Sequence, residues 1–260
     1  MRIKEKIFSL IILICSCAEG YDSPDGFDSG VRDTDLVTPD SVSFIVSTDG
    51  TSATISWPLV YGAAGYEVTF SNVDDPENPQ IIDGLDKKLI DGSRMTVPVT
   101  EDSKYEFAIR VVGNKQLGNN DADAPTVYNF STLVPSVAVI PSGEDISRYM
   151  AEHPLDTLGE EVAIDLEPGG EYILSDTVDF GPHNLTFRGD KIHRPTVKLQ
   201  GKGTIMSYSG LKLKYINFDC SESTAYGVVG MSVKNLPEEI KSQNLGYTRD
   251  GSPINNIYRA

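Results

Sequence analysis

The sequence predicts an all-β chain in two parts: an antiparallel sandwich over residues 41–134, then a short helix and the first coils of a parallel solenoid over 135–260. Three observations predict it. Between Ser41 and Leu133 apolar and polar residues alternate in short runs separated by turn residues, the period-two signature of half-buried strands. Beyond Pro135 still shorter strands recur at spacings in the twenties, with glycines at the corners. Between the two regimes lies a segment with helical patterning. A length of 260 residues has room for one or two such units.

The chain opens with Arg2, Lys4 and Lys6, followed by an apolar run from Ile7 to Ile14 broken by Ser9. A bilayer span needs about 20 apolar residues, so this run reads as a secretory signal. Its ending, Ile14-Cys15-Ser16-Cys17, resembles the lipobox of bacterial lipoproteins: a branched residue, then a small one, then cysteine. The resemblance implies a signal peptide over 1–16 and lipidation at Cys17; Cys15 fits less well because Ile14 would precede the cut. Several acyl chains, each contributing about 0.8 kcal/mol per buried CH₂, anchor a protein to a membrane without spanning it. Residues 17–40 carry seven acids against Arg32 and are expected to form an acidic flexible tether. An acidic stretch behind a lipidated cysteine also resembles the surface-export signal of some Gram-negative glycan-degrading bacteria. That implies an outer-membrane, cell-surface location.

Losing three cations and one anion with residues 1–16 shifts the net charge from −16 to −18. Such a charge opposes nucleic acid and anionic headgroups as partners. Cys220 then stands without a disulfide partner, so the domains must be stable through their cores. His153, His183 and His193 share no metal-ligand spacing, and no metal is assigned.

The sandwich strands read as Val42–Val46, Ala53–Trp57, Tyr66–Phe70, Tyr105–Val111 and Val127–Phe130. Residues 56–70, SWPLVYGAAGYEVTF, resemble the second and third strands of a fibronectin type III domain, with Trp57 as the core tryptophan and Tyr66 opening the next strand. Residues 97–112, VPVTEDSKYEFAIRVV, resemble that family's sixth strand, with Tyr105 as the tyrosine-corner residue. Tyr61, Tyr66 and Tyr128 are assigned to the sandwich core. The family implies a spacer or binding module and brings no catalytic residue to this sequence.

In the second part, Ser142 is expected to cap a helix whose Ile146, Tyr149 and Met150 share a face and which Pro154 ends. Strands follow at Ile164–Leu166, Leu185–Phe187, Val197–Leu199, Leu211–Leu213 and Ile216–Phe218. Leu185 and Leu211 are 26 residues apart, Ile164 and Leu185 are 21 apart. Residues 183–203, HNLTFRGDKIHRPTVKLQGKG, and 209–220, SGLKLKYINFDC, resemble the early coils of pectin-lyase-like right-handed β-helices, with the helix as cap. A second sandwich is the rival reading. Residues 232–260 are turn-rich, with a strand hint only at Ile254–Tyr258, and the expectation is a front part of a longer β-helix or a shortened one.

Residues 188–214 hold seven cations against Asp190 alone, inside a strongly acidic protein. The 26-residue register sets Thr186 beside Lys212 and Arg188 beside Lys214, outward-facing and about 4.8 Å apart. Arg188, Lys198, Lys212 and Lys214 are therefore the candidate glycan-binding residues. Asp165 with Glu167, and Asp176 with Asp179, lack calcium-loop spacing and are expected to be solvated. There is no nucleophile elbow, and no catalytic residue is assigned. Arg188-Gly189-Asp190 spells an integrin tripeptide, a match too short to weigh. The expected role is non-catalytic binding of extracellular, including acidic, polysaccharide or an accessory part in glycan utilisation. The alternatives are a uronate-cleaving polysaccharide lyase, which alone would bring in calcium, and an adhesin or stalk.

Cys17→Ala is expected to move the protein from the membrane fraction into a soluble or uncleaved form, whereas Cys15→Ala changes little. Palmitate label persisting in the Cys17 variant would contradict the assignment.

Overall fold

Alternating apolar residues build the first unit in the computed structural model, which describes residues 30–155 and 160–232. The predicted signal peptide, Cys17 and the strand hint at 254–258 lie outside the described residues. Eight strands make the sandwich: β1 (Ser43–Val46), β2 (Ser52–Ser56), β3 (Ala63–Asn72), β4 (Gln80–Ile81), β5 (Lys88–Ile90), β6 (Arg94–Pro98), β7 (Lys104–Gly113) and β8 (Thr126–Ser131). One antiparallel sheet runs β1-β2-β6; the other runs β4-β3-β7-β8, with β5 also paired to β3. On β7 the alternation is complete, with Tyr105, Phe107, Ile109 and Val111 all buried. Trp57 packs edge-on against Tyr66 at 5.3 Å between centroids, and Phe70 stacks on Tyr105 at 4.9 Å.

Both tyrosines solve the problem of a buried hydroxyl with local backbone. The Thr100 N–H donates to the Tyr105 hydroxyl at 2.8 Å, and the Val60 N–H donates to that of Tyr66 at 2.7 Å. Trp57, Tyr66 and Tyr105 are all buried in the sandwich core, and Tyr66 lies inside β3 rather than at its start. Tyr61 is not buried: it is 59% exposed in the loop after β2. Tyr128 is half-buried, its ring against the core and its hydroxyl donating to the Pro39 carbonyl.

That last bond corrects the tether. Residues 30–40 lie along the sandwich: Leu36 is buried in its core, Val31 packs beside it, and the Asn120 N–H donates to the Thr34 carbonyl at 2.9 Å. The acidic side chains face water while two apolar ones anchor the segment.

The second unit winds in coils. β9 (Ser136–Ile140) leads to helix α1 (Ile146–Glu152), and then come β10 (Val162–Leu166), β11 (Glu171–Leu174), β12 (Thr177–Asp179), β13 (Leu185–Arg188), β14 (Thr196–Gly201), β15 (Thr204–Ser207), β16 (Leu211–Lys214), β17 (Asn217–Ser223) and β18 (Val229–Met231). They stack as three parallel sheets, β9-β10-β13-β16, β11-β14-β17 and β12-β15-β18. This is a parallel β-helix, and the rival second sandwich is excluded. Inward residues such as Ile164, Leu174, Phe187, Val197, Leu199 and Ile205 form its core. Leu185 sits beside Leu211 as the 26-residue spacing predicts. The spacing of 21 fails: Leu185 pairs with Val162, because corner lengths vary from coil to coil. The coils press closely at Gly203, where a Cβ would stand 1.8 Å from the Leu174 carbonyl oxygen.

Asp145, not Ser142, caps α1; its carboxylate accepts from the Ser147 N–H at 2.9 Å. Ser142 instead serves the coil, its hydroxyl accepting from the Glu171 N–H. Ile146 and Met150 reach into the core, so α1 lies over β11 and β12 at the start of the stack as a cap.

Trp57→Ala is expected to cost about 3–5 kcal/mol in urea unfolding, the range for a large aromatic removed from a core. Trp57→Phe should cost far less, since the indole N–H has no hydrogen-bond partner to lose.

Candidate functional site at the sandwich–solenoid junction

Period two on β13 and β16 sends Leu185, Phe187, Leu211 and Leu213 toward the coil interior and Thr186, Arg188, Lys212 and Lys214 outward. The predicted register therefore holds, with Arg188 beside Lys214 and Thr186 beside Lys212. What the outward face meets is the sandwich. Only Thr132–Pro135 separate the two units, and the turn after β6, Glu101–Ser103, comes down onto the basic strands.

Arg188 is the centre. Its Nε and Nη2 donate to the two oxygens of Asp165 at 2.9 and 3.1 Å, a bidentate pair, and Nη2 also reaches the Val134 carbonyl at 3.2 Å. Its Nη1 lies 3.6 Å from Asp102 of the sandwich. Lys214 binds Glu101 at 2.9 Å and also binds Asp102. Lys212 joins Glu161 at 3.0 Å and Glu101 at 3.6 Å. Lys191 completes the cluster, donating to Asp74 at 2.9 Å and to the Ser103 hydroxyl at 2.7 Å, with its ammonium 5.6 Å from the Tyr215 ring centre.

The expectation that Arg188 and Lys214 are exposed is thus corrected. Arg188 is 4% exposed and Asp102 2%; Lys214 is partly covered. Arg188, Lys191, Lys212 and Lys214, gathered at one junction of an acidic chain, have carboxylates of the same chain as their nearest source of compensation, and a buried charge must be paired. Lys198 departs in another way. It lies on β14, in a different sheet, half-exposed and paired with Glu222 of β17 at 2.6 Å.

The carboxylates read as solvated are also partly corrected. Asp165 holds Arg188, Glu167 accepts from the Ser142 N–H, and Asp179 accepts from Ser232 and the Gly181 N–H. With Arg188 buried, the Arg-Gly-Asp tripeptide is not displayed. The residues that sequence reasoning missed are the acceptors Asp74, Glu101, Asp102 and Glu161. A block of net positive charge within an acidic chain was the available signal for them.

Electrostatics follow from this pairing. Burial works to raise the Asp74 pKa, but hydrogen bonds from Lys191 and the Lys104 N–H outweigh it and hold it below the usual carboxylate range. The Lys214 hydrogen bond holds Glu101 down. Glu161 is lowered despite burial by Thr186 and Lys212. Burial opposes the Lys214 ammonium, yet Asp102 and Glu101 raise its pKa above the ordinary lysine value.

A cleft of about 480 Å³ opens beside the cluster, between the units, with Val139, Asp165, Arg188, Lys191 and Tyr215 among its walls. Asp102 and Tyr215, both on this cleft, have left-handed backbone with φ of 53° and 57°. Among the described residues no three His, Cys, Asp or Glu side chains gather as a metal site.

Comparisons with known proteins give a family and two kinds of structural likeness. A family model described as a domain of unknown function matches residues 2–171, through the sandwich and into the first coils. No curated protein matches. A fibronectin type III-like protein from Clostridium thermocellum is similar at 18% identity, over 36% of this chain and 88% of that one, with a TM-score of 0.26. Pectate lyase PelI from Erwinia chrysanthemi, solved with tetragalacturonic acid, is similar at 13% identity over 66% of this chain and 61% of that one (TM-score 0.22). Pectate lyase Pel3 from Pectobacterium carotovorum is similar at 11% identity over 67% and 63% (TM-score 0.23). The chain therefore spans less than two thirds of either lyase.

Arg188→Ala is expected to destabilise the protein by about 3–5 kcal/mol, because it strips a buried pair of one partner. Asp74, Glu101 and Glu161 have folded pKa values below their unfolded ones. The stability they add is complete above the unfolded value, about 4, and is lost as the pH falls through the lower folded values. Urea midpoints recorded from about pH 6 down to about pH 3 should fall over that window, and less steeply for Glu101→Gln.

Proposed function

The chain belongs to the family described as a domain of unknown function, DUF4992, and we propose that it is a lipid-anchored cell-surface protein with a non-catalytic polysaccharide-binding or accessory role in glycan utilisation. One observation carries the non-catalytic part: the cations of the β13–β16 face are held by carboxylates. A lyase must remove the proton next to a uronate carboxylate with a base whose pKa lies near the working pH. The Arg188 guanidinium presents only donors and is gripped by Asp165. Lys214 has its pKa raised, the wrong direction for a base. These groups tie the solenoid to the sandwich.

The polysaccharide part is supported by the resemblance of residues 183–203 and 209–220 to pectin-lyase-like coils. Lys198 remains a candidate glycan contact, half-exposed on an outer ladder beside Gln200, Asp219 and Glu222. The anchor rests on Cys17 and its flanking residues. Among the described residues no helix is long and apolar enough to cross a membrane. A clasped junction suits presentation, since the solenoid would keep one orientation relative to the sandwich nearer the anchor.

The full-length protein incubated with polygalacturonate and calcium should release no unsaturated product, followed by absorbance, while retaining polysaccharide in a pull-down. Steady formation of unsaturated ends would overturn the non-catalytic reading.

A further inference from the structure

The two units have separate cores. Buried apolar residues of the sandwich pack with one another from Leu36 to Ala122, those of the solenoid from Ile140 to Ile205, and among the described residues none belongs to both. Charge joins the units instead: Asp74, Glu101, Asp102 and the Ser103 hydroxyl on one side, Arg188, Lys191, Lys212 and Lys214 on the other. Burying ions costs nearly as much in lost hydration as their attraction returns, so such an interface adds little net stability. Domains move relative to one another by default unless a large apolar interface holds them. Beside the cluster, the cleft of about 480 Å³ keeps the facing surfaces out of close contact.

The connection between the units is short. The Thr132 N–H donates to the Ser103 carbonyl at 3.0 Å, which ties Thr132 to the sandwich. The Ala163 N–H donates to the Pro135 carbonyl at 2.9 Å, which ties Pro135 to the solenoid. Leu133 and Val134 lie between. Proline has its φ locked and biases the residue before it toward extended backbone, so the free rotation is concentrated at Leu133. Arg188 touches both parts of the junction. Its Nη2 donates to the Val134 carbonyl at 3.2 Å, and its Nη1 faces Asp102 at 3.6 Å, an ionic contact without a hydrogen bond.

We propose that the junction is a latched hinge, with Leu133 and Val134 as its pivot, the ion cluster as its latch, and Arg188 holding both the latch and the pivot carbonyl. Opening breaks the contacts of the four cations with the sandwich, but Asp165 keeps Arg188 paired and Glu161 keeps Lys212 paired. Lys191 and Lys214 pass into water, which solvates an ammonium well. The solenoid thus carries on its own coils the carboxylates that spare the open state a buried, unpaired charge. A junction built for one position alone has no use for that second set of partners.

The test is small-angle scattering and native-state proteolysis on the full chain. Glu101→Gln with Asp102→Asn takes the charge from the sandwich side of the latch and leaves Arg188 its partner Asp165. This double variant should scatter with a larger radius of gyration than the parent. Thermolysin should cut it at Leu133 at least about tenfold faster, the effect of weakening the latch by about 1.4 kcal/mol, because cleavage follows the open population when opening and closing are fast. Emission of Trp57, the chain's single tryptophan, should stay unchanged, since it lies in the sandwich core and not in the hinge. Where that emission shifts, the sandwich itself has loosened, and the variant made on the solenoid side, Lys191→Met with Lys214→Met, decides by the same rise in radius and cleavage rate. A folded variant of either kind that keeps the parent's scattering and cleavage rate overturns the hinge.

Discussion

A guanidinium buried between two carboxylates from different domains is the constraint on which the arrangement of this molecule depends. Arg188 is fixed on its own coil by Asp165, and that pairing alone would suffice for a solenoid standing free. The approach of Asp102 is what removes it from water and draws Lys214 and Glu101 into one cluster with it. Such clusters contribute little net free energy, because desolvation offsets most of the attraction. Their effect is on geometry: a misaligned junction would leave charges buried without partners, which is far more costly than an apolar mismatch. Orientation of the solenoid relative to the sandwich is therefore specified more strictly than its stability requires.

The same cluster explains how an acidic protein carries a strongly basic strand pair. The cations of β13 and β16 are internal counter-ions to the turn after β6 and to Glu161. Charge that looks in the sequence like a surface for an acidic ligand is neutralised within the chain. That strand pair is therefore not an open surface for an acidic ligand.

Local features were legible in the sequence because their physics is local. Trp57 and Tyr105 announce themselves through neighbours within a few positions, and the Leu185–Leu211 register follows from a repeat of apolar residues. The step from β10 to β13 was misread by two residues because a solenoid fixes what stacks, not how long each corner is. Leu36 was hidden by averaging: a stretch dominated by acids reads as a tether although a single apolar anchor can dock it. Lys198 lies apart from the cluster because a corner after β13 turns the chain onto another sheet. Arg188 was the hardest. Its register was predicted, but its burial depends on Asp102, in another domain, and no periodicity in one domain reports the face of its neighbour.

Helix α1 gives the coil stack a direction. It covers β11 and β12 at the beginning, while β16, β17 and β18, the last described strand of each sheet, stand at the second side of the described stack. A new coil can be templated only on that second side, because at the first the backbone is already roofed by side chains of another kind of element. A coil added there would stack directly on β16, whose Lys212 and Lys214 hold Glu101 of the sandwich, so the solenoid could lengthen only in ways that respect the clasp.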